Sequence, residues 1–221
     1  MDRFNLAALL AAVIVFAPVP PGDVVQRQGA DLDGHATNSW RTVITKKAVG
    51  SADKETFYQW YVSIYQLQGG TYRLRYQSPG NGGPLDAVEK AKGASLWFPR
   101  QEASIVGSAS LMGENDEQLV VESHQSGADC GSADLTVFRF DGNSGKIVPA
   151  VTIQNGCELK AKIVKSNGAS HLELSGPYYN ASAPMCCPTK PKATATLKFA
   201  NGKWTETPNY YKFYPNSFPH V

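Results

Sequence analysis

Two-residue turns constrain this chain more than any other feature, because a tight turn and an alternating pattern that agree leave a strand pair only one register. The first is Gly69-Gly70, inside the run Glu55 to Gln77. Glycines accept the positive backbone angles such a hairpin needs. Folding there sets Leu67 opposite Tyr72 and Tyr65 opposite Leu74 on one face, with Gln66 and Arg73 on the other. The second turn, Asn167-Gly168, sets Ile163 against Leu172 and Ala161 against Leu174, while Lys162 meets Glu173 on the opposite face. A longer loop, Asp141-Gly142-Asn143-Ser144-Gly145, separates Leu135 to Phe140 from Ile147 to Ile153. Pairing Phe140 with Ile147 there carries the register back to Cys130 opposite Cys157.

Further short strands are expected at Ser95 to Phe98, Ala103 to Leu111 and Gln118 to His124, and one short helix at Pro84 to Lys92, closed by Gly93. Glu117 to Pro149 and His171 to Pro208 share a faint repeat: strand, cysteine-bearing loop, strand, glycine turn. The expected fold is therefore mainly β: an antiparallel meander or sandwich, or partial propeller-like sheets, with one short helix. The aromatics Phe57, Tyr58, Trp60, Tyr61 and Tyr65 are read as core packing before sugar stacking, since strands use aromatics mostly that way.

Residues 1–17 read as a secretory signal, a short head with Arg3 followed by the apolar run Leu6 to Ala17. A membrane span needs about 20 apolar residues, and Pro18, Pro20 and Pro21 end this run sooner, so no stable span is expected after cleavage. The expected division is a linker over 18–40, a β-rich part with the helix over 41–112, and a β-meander over 113–214. The protein is expected to be secreted or periplasmic. A net charge of +2 argues against a nucleic-acid partner, and the lysines of Lys190 to Lys198 read as a solvated face or as protection of a sheet edge.

Four cysteines fit an oxidising compartment. The hairpin register favours Cys130 with Cys157, leaving Cys186 and Cys187 as a vicinal pair or as thiols; the alternative joins Cys130 to Cys186 and Cys157 to Cys187. A zinc site would need His124 and His171 as helpers at spacings that match no ligand pattern. Asp31-Leu32-Asp33-Gly34 resembles the start of a calcium loop, but an Asx-Gly turn is the commoner use of such residues. No metal or cofactor is expected.

Gly176-Pro177, the polar loop Asn180 to Ala183, the box Pro184-Met185-Cys186-Cys187-Pro188-Thr189 and the strand Thr194 to Phe199 resemble a motif of bacterial exported proteins of unassigned function. In those proteins a β segment ending near an Asn-Gly or Asp-Gly turn precedes the box, much as Val151 to Gly156 does here. The resemblance spans about 90 C-terminal residues and its specific part is the Cys-Cys box. It implies export and supplies no assigned activity to carry over. Many of those proteins also carry an Asp-rich segment, whereas Gly113-Glu114-Asn115-Asp116-Glu117 lacks the full acidic pattern, so calcium binding is not carried over.

Sheets, aromatics and cysteines without a recognisable catalytic set point to a non-catalytic envelope or secreted binding module, with a protein or a glycan as ligand. The competing reading is a secreted hydrolase using Glu122, His124 and Asp129, of which the first two share a strand face; a solvated face is the plainer reading of that pair. A thiol redox protein using Cys186 and Cys187 is a third reading, set against by the missing two-residue spacer and the flanking prolines.

Overall fold

The computed structural model describes residues 22–35, 39–52, 55–78, 101–113, 115–125, 132–180, 188–211 and 213–215. Among them the chain is all β, with thirteen antiparallel strands and no helix. Sheet A holds β1 (Asp23–Ala30), β2 (Trp40–Ala52), β3 (Glu55–Gln68) and β4 (Thr71–Gln77) in sequence order. Sheet B holds β5 (Gln101–Ala109), β6 (Gln118–Gln125), β7 (Ser132–Asp141), β8 (Lys146–Cys157) and, beside β8, β13 (Phe213–Pro215). Sheet C holds β9 (Lys160–Ser166), β10 (Ala169–Tyr178), β11 (Lys190–Ala200) and β12 (Lys203–Thr207). The repeat seen in sequence is a three-strand meander, β6-β7-β8 in one sheet and β10-β11-β12 in the next.

Strand alternation explains how the sheets stack. On β6, Leu119 and Val121 point one way, into a core shared with Trp40, Ile44 and Ile64 of sheet A. Val120 points the other way, into a core shared with Leu172, Leu174 and Leu197 of sheet C. Sheet B is thus the middle layer of three, which is why its strands are apolar on both faces while sheet C reads apolar-in, polar-out. A third, small cluster of Val43, Tyr65 and Tyr72 lies on the outer face of sheet A.

Both tight turns deliver the expected registers. Leu67 pairs with Tyr72 and Tyr65 with Leu74, and Ile163 pairs with Leu172, Lys162 with Glu173 and Ala161 with Leu174. Asn167 and Gly168 adopt φ values of 52° and 79°, the left-handed pair that such a turn requires. Phe140 also meets Ile147 as expected, but two irregularities along β7 and β8 shift the ladder, so Cys157 lies opposite Ser132 rather than Cys130.

The stretch 18–40, expected as a linker, contains β1, whose backbone pairs with β2 from Asp23 to Ala30. The division at 112/113 falls between β5 and β6, which pair from Gln101–Gln125 to Ala109–Gln118. The expected helix Pro84 to Lys92, the strand Ser95 to Phe98 and the signal over 1–17 lie outside the described residues. No helix among the described residues is long and apolar enough to cross a membrane.

Candidate functional site

Strand β5 is an edge of sheet B, and side chains from the neighbouring sheets occupy it. The Gln26 amide of β1 accepts from the Ile105 N–H (2.8 Å) and donates to the Ile105 carbonyl (2.9 Å), copying one rung of a ladder. At the β5 bulge, a Cβ on Gly107 would stand 2.9 Å from Ile163 Cδ1 of sheet C, so the tip of that side chain would have to shift to admit one. Glu117 Oε2 accepts from the Asp31 N–H (3.0 Å) and the Ser108 hydroxyl (2.8 Å). Gln118, wholly buried, accepts from the Leu111 and Met112 N–H groups and donates to Asp116. These contacts satisfy buried backbone that would otherwise cost free energy.

Glu122 and His124 lie on the face of β6 that looks toward sheet C. The structure brings them together: His124 Nε2 is 3.2 Å from Glu122 Oε2. Glu122 is only 8% exposed, and its Oε1 accepts a hydrogen bond from the Ala161 N–H of β9. The pair is therefore not the solvated face that the alternation implied. It is a clasp across two sheets, with both carboxylate oxygens engaged. The hydrogen bond to Glu122 pushes the His124 pKa up, against burial and helped by the charges of Glu122 and Glu102.

The sign of that shift makes a prediction. A histidine whose folded pKa lies above its usual value of 6.5 contributes stability fully present below about pH 6.5 and lost as pH rises through the folded pKa. Wild type is expected to lose more melting temperature between pH 6 and 8.5 than His124→Gln; equal losses in thermal scans would show that the clasp does not titrate.

Asp129, Cys130, Cys186 and Cys187 lie outside the described residues, as does the side chain of Cys157. The strand ends nevertheless fix where the intervening segments leave the sheets. Gln125 pairs with Ser132, Ser132 with Cys157, Ser175 with Lys160 and Tyr178 with Lys190. Since Glu158 and Leu159 join β8 directly to β9, the strand ends at Gln125, Ser132, Cys157, Lys160, Tyr178 and Lys190 lie at the same end of sheets B and C. His171, near the 167–168 turn, belongs to the opposite end from His124, so the two histidines considered for zinc are not brought together.

That shared end carries an aromatic group which sequence reasoning missed. Tyr178, at the end of β10, and Tyr210, after β12, stack with centroids 4.7 Å apart and planes 33° apart. Both are half-buried. Lys190 Nζ donates to the Tyr210 hydroxyl (2.7 Å), and Tyr211 stands edge-on to Tyr210 at 6.5 Å. Beneath them Glu206, 8% exposed, accepts from the Tyr210 and Tyr211 N–H groups (3.2 and 3.1 Å). Burial pushes the Glu206 carboxyl up despite those donors. Burial, with the charge of Glu206, pushes the Tyr211 phenol up to about 12. The Tyr-Tyr string at 210–211 was a readable signal, but its partner Tyr178 is more than thirty residues away.

The other candidates resolve into structure. Asp33 accepts from the Ser39 hydroxyl (3.3 Å) and the Gln66 amide (3.1 Å). Burial raises its carboxyl, and the nearby Trp40 indole, the Gln66 amide and the charge of His35 outweigh that and hold it below the usual range. It anchors the turn before β2, with Gly34 at φ 71°. Among the described residues no group of three or more His, Cys, Asp or Glu side chains could hold a metal ion. Of the β3 aromatics, Tyr65 is buried on the outer face and Trp60 packs against the core between sheets A and B. No family model matches the chain, and neither a curated protein nor a solved structure matches it.

Proposed function

We propose that this protein is an exported, non-catalytic binding module whose ligand is a glycan, held at the Tyr178–Tyr210 stack beside Lys190. The observation that carries the reading is the stack itself: two half-buried rings in contact, with a cation hydrogen-bonded to one of them, where β10 ends and β11 begins. Tyrosines suit carbohydrate because a rigid ring offers an apolar face to the sugar C–H groups and a polar tip to its hydroxyls, at little entropic cost. Export is supported by the signal-like residues 1–17 and by the resemblance of the Cys-Cys box to exported bacterial proteins. The non-catalytic reading is supported by Glu122, whose two oxygens are committed to His124 and to β9.

Isothermal titration with chitin-, cellulose- and peptidoglycan-derived oligosaccharides tests this. One of them is expected to bind, and Tyr210→Ala to weaken it about tenfold, the scale of one lost aromatic contact. Turnover of an ester, peptide or glycan that disappears in Glu122→Gln would overturn the reading in favour of a hydrolase.

A further inference from the structure

The outer face of sheet C has a charge pattern that the protein as a whole does not. Alternation turns Leu172, Leu174, Ala193, Ala195, Leu197 and Trp204 inward. The residues between them point to solvent. This outward set contains Lys160 and Lys162 of β9, Lys190, Lys192 and Lys198 of β11, and Lys203 of β12, all exposed. The acidic residue among them is Glu173, paired across the ladder with Lys162. Six lysines less one glutamate give this face a formal +5, against +2 for the whole chain, so the remainder carries −3. The positive charge is segregated onto one sheet face.

The ordinary uses of surface lysines account for only part of that. Edge protection covers Lys160 and Lys162 of β9 and Lys203 of β12, the two edge strands of sheet C, but not the three lysines of β11, which lies between β10 and β12. A merely solubilising surface intersperses both signs, and like charges gathered on one face of a sheet repel. A binding partner that neutralises them removes that cost.

We infer that this face binds a linear polyanionic polysaccharide, one bearing carboxylate, sulfate or phosphate along its length. The inference rests on the binding-module reading and specifies its ligand class. Lysines recur at two-residue steps, about 6.6 Å, along β9 and at the start of β11, and neighbouring strands lie about 4.8 Å apart, so cations are distributed over the face rather than focused at a point. The rows between them carry hydroxyls: Ser175, Thr194, Thr196, Thr205 and Thr207, with Thr196 directly opposite Thr207. Held on a rigid sheet, these donate to and accept from sugar hydroxyls. The outward face of β9 to β12 offers Val164 and the small Ala169 and Ala200 as its aliphatic side chains, too little for insertion into a lipid interface, which calls for a large apolar surface. Lys190 belongs both to this face and, through its bond to Tyr210, to the tyrosine stack, so the cationic and aromatic surfaces are continuous.

The test uses the purified chain with dextran sulfate and, as the neutral control, unmodified dextran. Dextran sulfate is expected to bind, dextran not to, and added NaCl to weaken the interaction as it screens exposed charges. Lys162→Gln/Lys192→Gln/Lys198→Gln is expected to raise the dissociation constant about tenfold, three exposed ion pairs at a fraction of a kcal/mol each. The corresponding triple Lys→Arg variant is expected to retain binding. Arg27→Gln/Lys47→Gln/Lys146→Gln removes as much charge from exposed positions of sheets A and B and is expected to change binding by less than about twofold. Matching thermal midpoints establish that both variants are folded. Equal losses in the two Gln triples would reduce the effect to net charge and overturn the inference. So would tighter binding at equal salt to phosphatidylglycerol/phosphatidylcholine vesicles or to single-stranded DNA, or no binding to dextran sulfate. If dextran sulfate fails while a neutral oligosaccharide still binds through Tyr210, the polyanion inference falls and the binding-module reading stands.

Discussion

Trp40→Ala is expected to destabilise the fold by about 3–5 kcal/mol, the range for emptying a buried indole site. Trp40 is wholly buried on the inner face of β2, where its ring meets Phe140 of β7 at 5.0 Å and 51°. Ile44, Ile64, Leu119 and Ile147 belong to the same cluster, so the indole joins sheet A to sheet B. A typical domain holds only about 5–15 kcal/mol in reserve, so the variant should lie close to unfolding at 37 °C. Urea titration checks this: the midpoint should fall steeply with little change in slope, and Trp40→Phe should recover a large part of it. A loss under about 1 kcal/mol would mean that sheets A and B do not share one core.

The parts of the fold that were legible are those set by short-range geometry. Gly69-Gly70 and Asn167-Gly168 leave no freedom of register, and every pair inferred from them is present. The loop at 141–145 sets its first pair, Phe140 with Ile147, yet bulges farther along the strands displace Cys157 onto Ser132. Bulges depend on how a sheet curves against its neighbours, which no local pattern encodes. Strand β1 was hidden for a related reason. Its Gln26 and Gln28 look like linker residues, and only the apposition of β5 gives them partners, Ile105 and Ser108.

The candidate site was less legible because burial by a second sheet converts polar strand residues into structural ones. Glu122 was visible on the same face as His124, but nothing local says that β9 closes over it. Glu206 left a trace that alternation could have caught: it shares a face with Trp204, and a carboxylate in phase with a core tryptophan is an inward-facing charge. The lysines of β11 were recognised as a face. Their number became informative only when β12 was found beside β11 and β9 on the far side of β10, so that three strands of one sheet supply the charge.

Glu206 yields the second large effect. Glu206→Leu is expected to cost about 2–3 kcal/mol, because the Tyr211 N–H, buried and bonded to both carboxylate oxygens at 3.1 Å, would be left without an acceptor. The Tyr210 N–H suffers less, since it also reaches the Pro208 carbonyl at 3.1 Å. Glu206→Gln should behave differently: its carbonyl oxygen can accept from both amides, and it carries no charge to desolvate. Burial raises the folded pKa of Glu206 above 4.5, so its contribution to stability is fully present below about pH 4.5 and is lost as pH rises through the folded pKa. At pH 7 the charged carboxylate is therefore a burden that glutamine lacks. Thermal scans should find Glu206→Gln at least as stable as wild type at pH 7, with a flatter profile above pH 4.5, while the leucine variant is destabilised throughout. If glutamine proved as damaging as leucine, the charge itself would be holding the Tyr210–Tyr211 turn, and the tyrosine stack above it would depend on an ionised base.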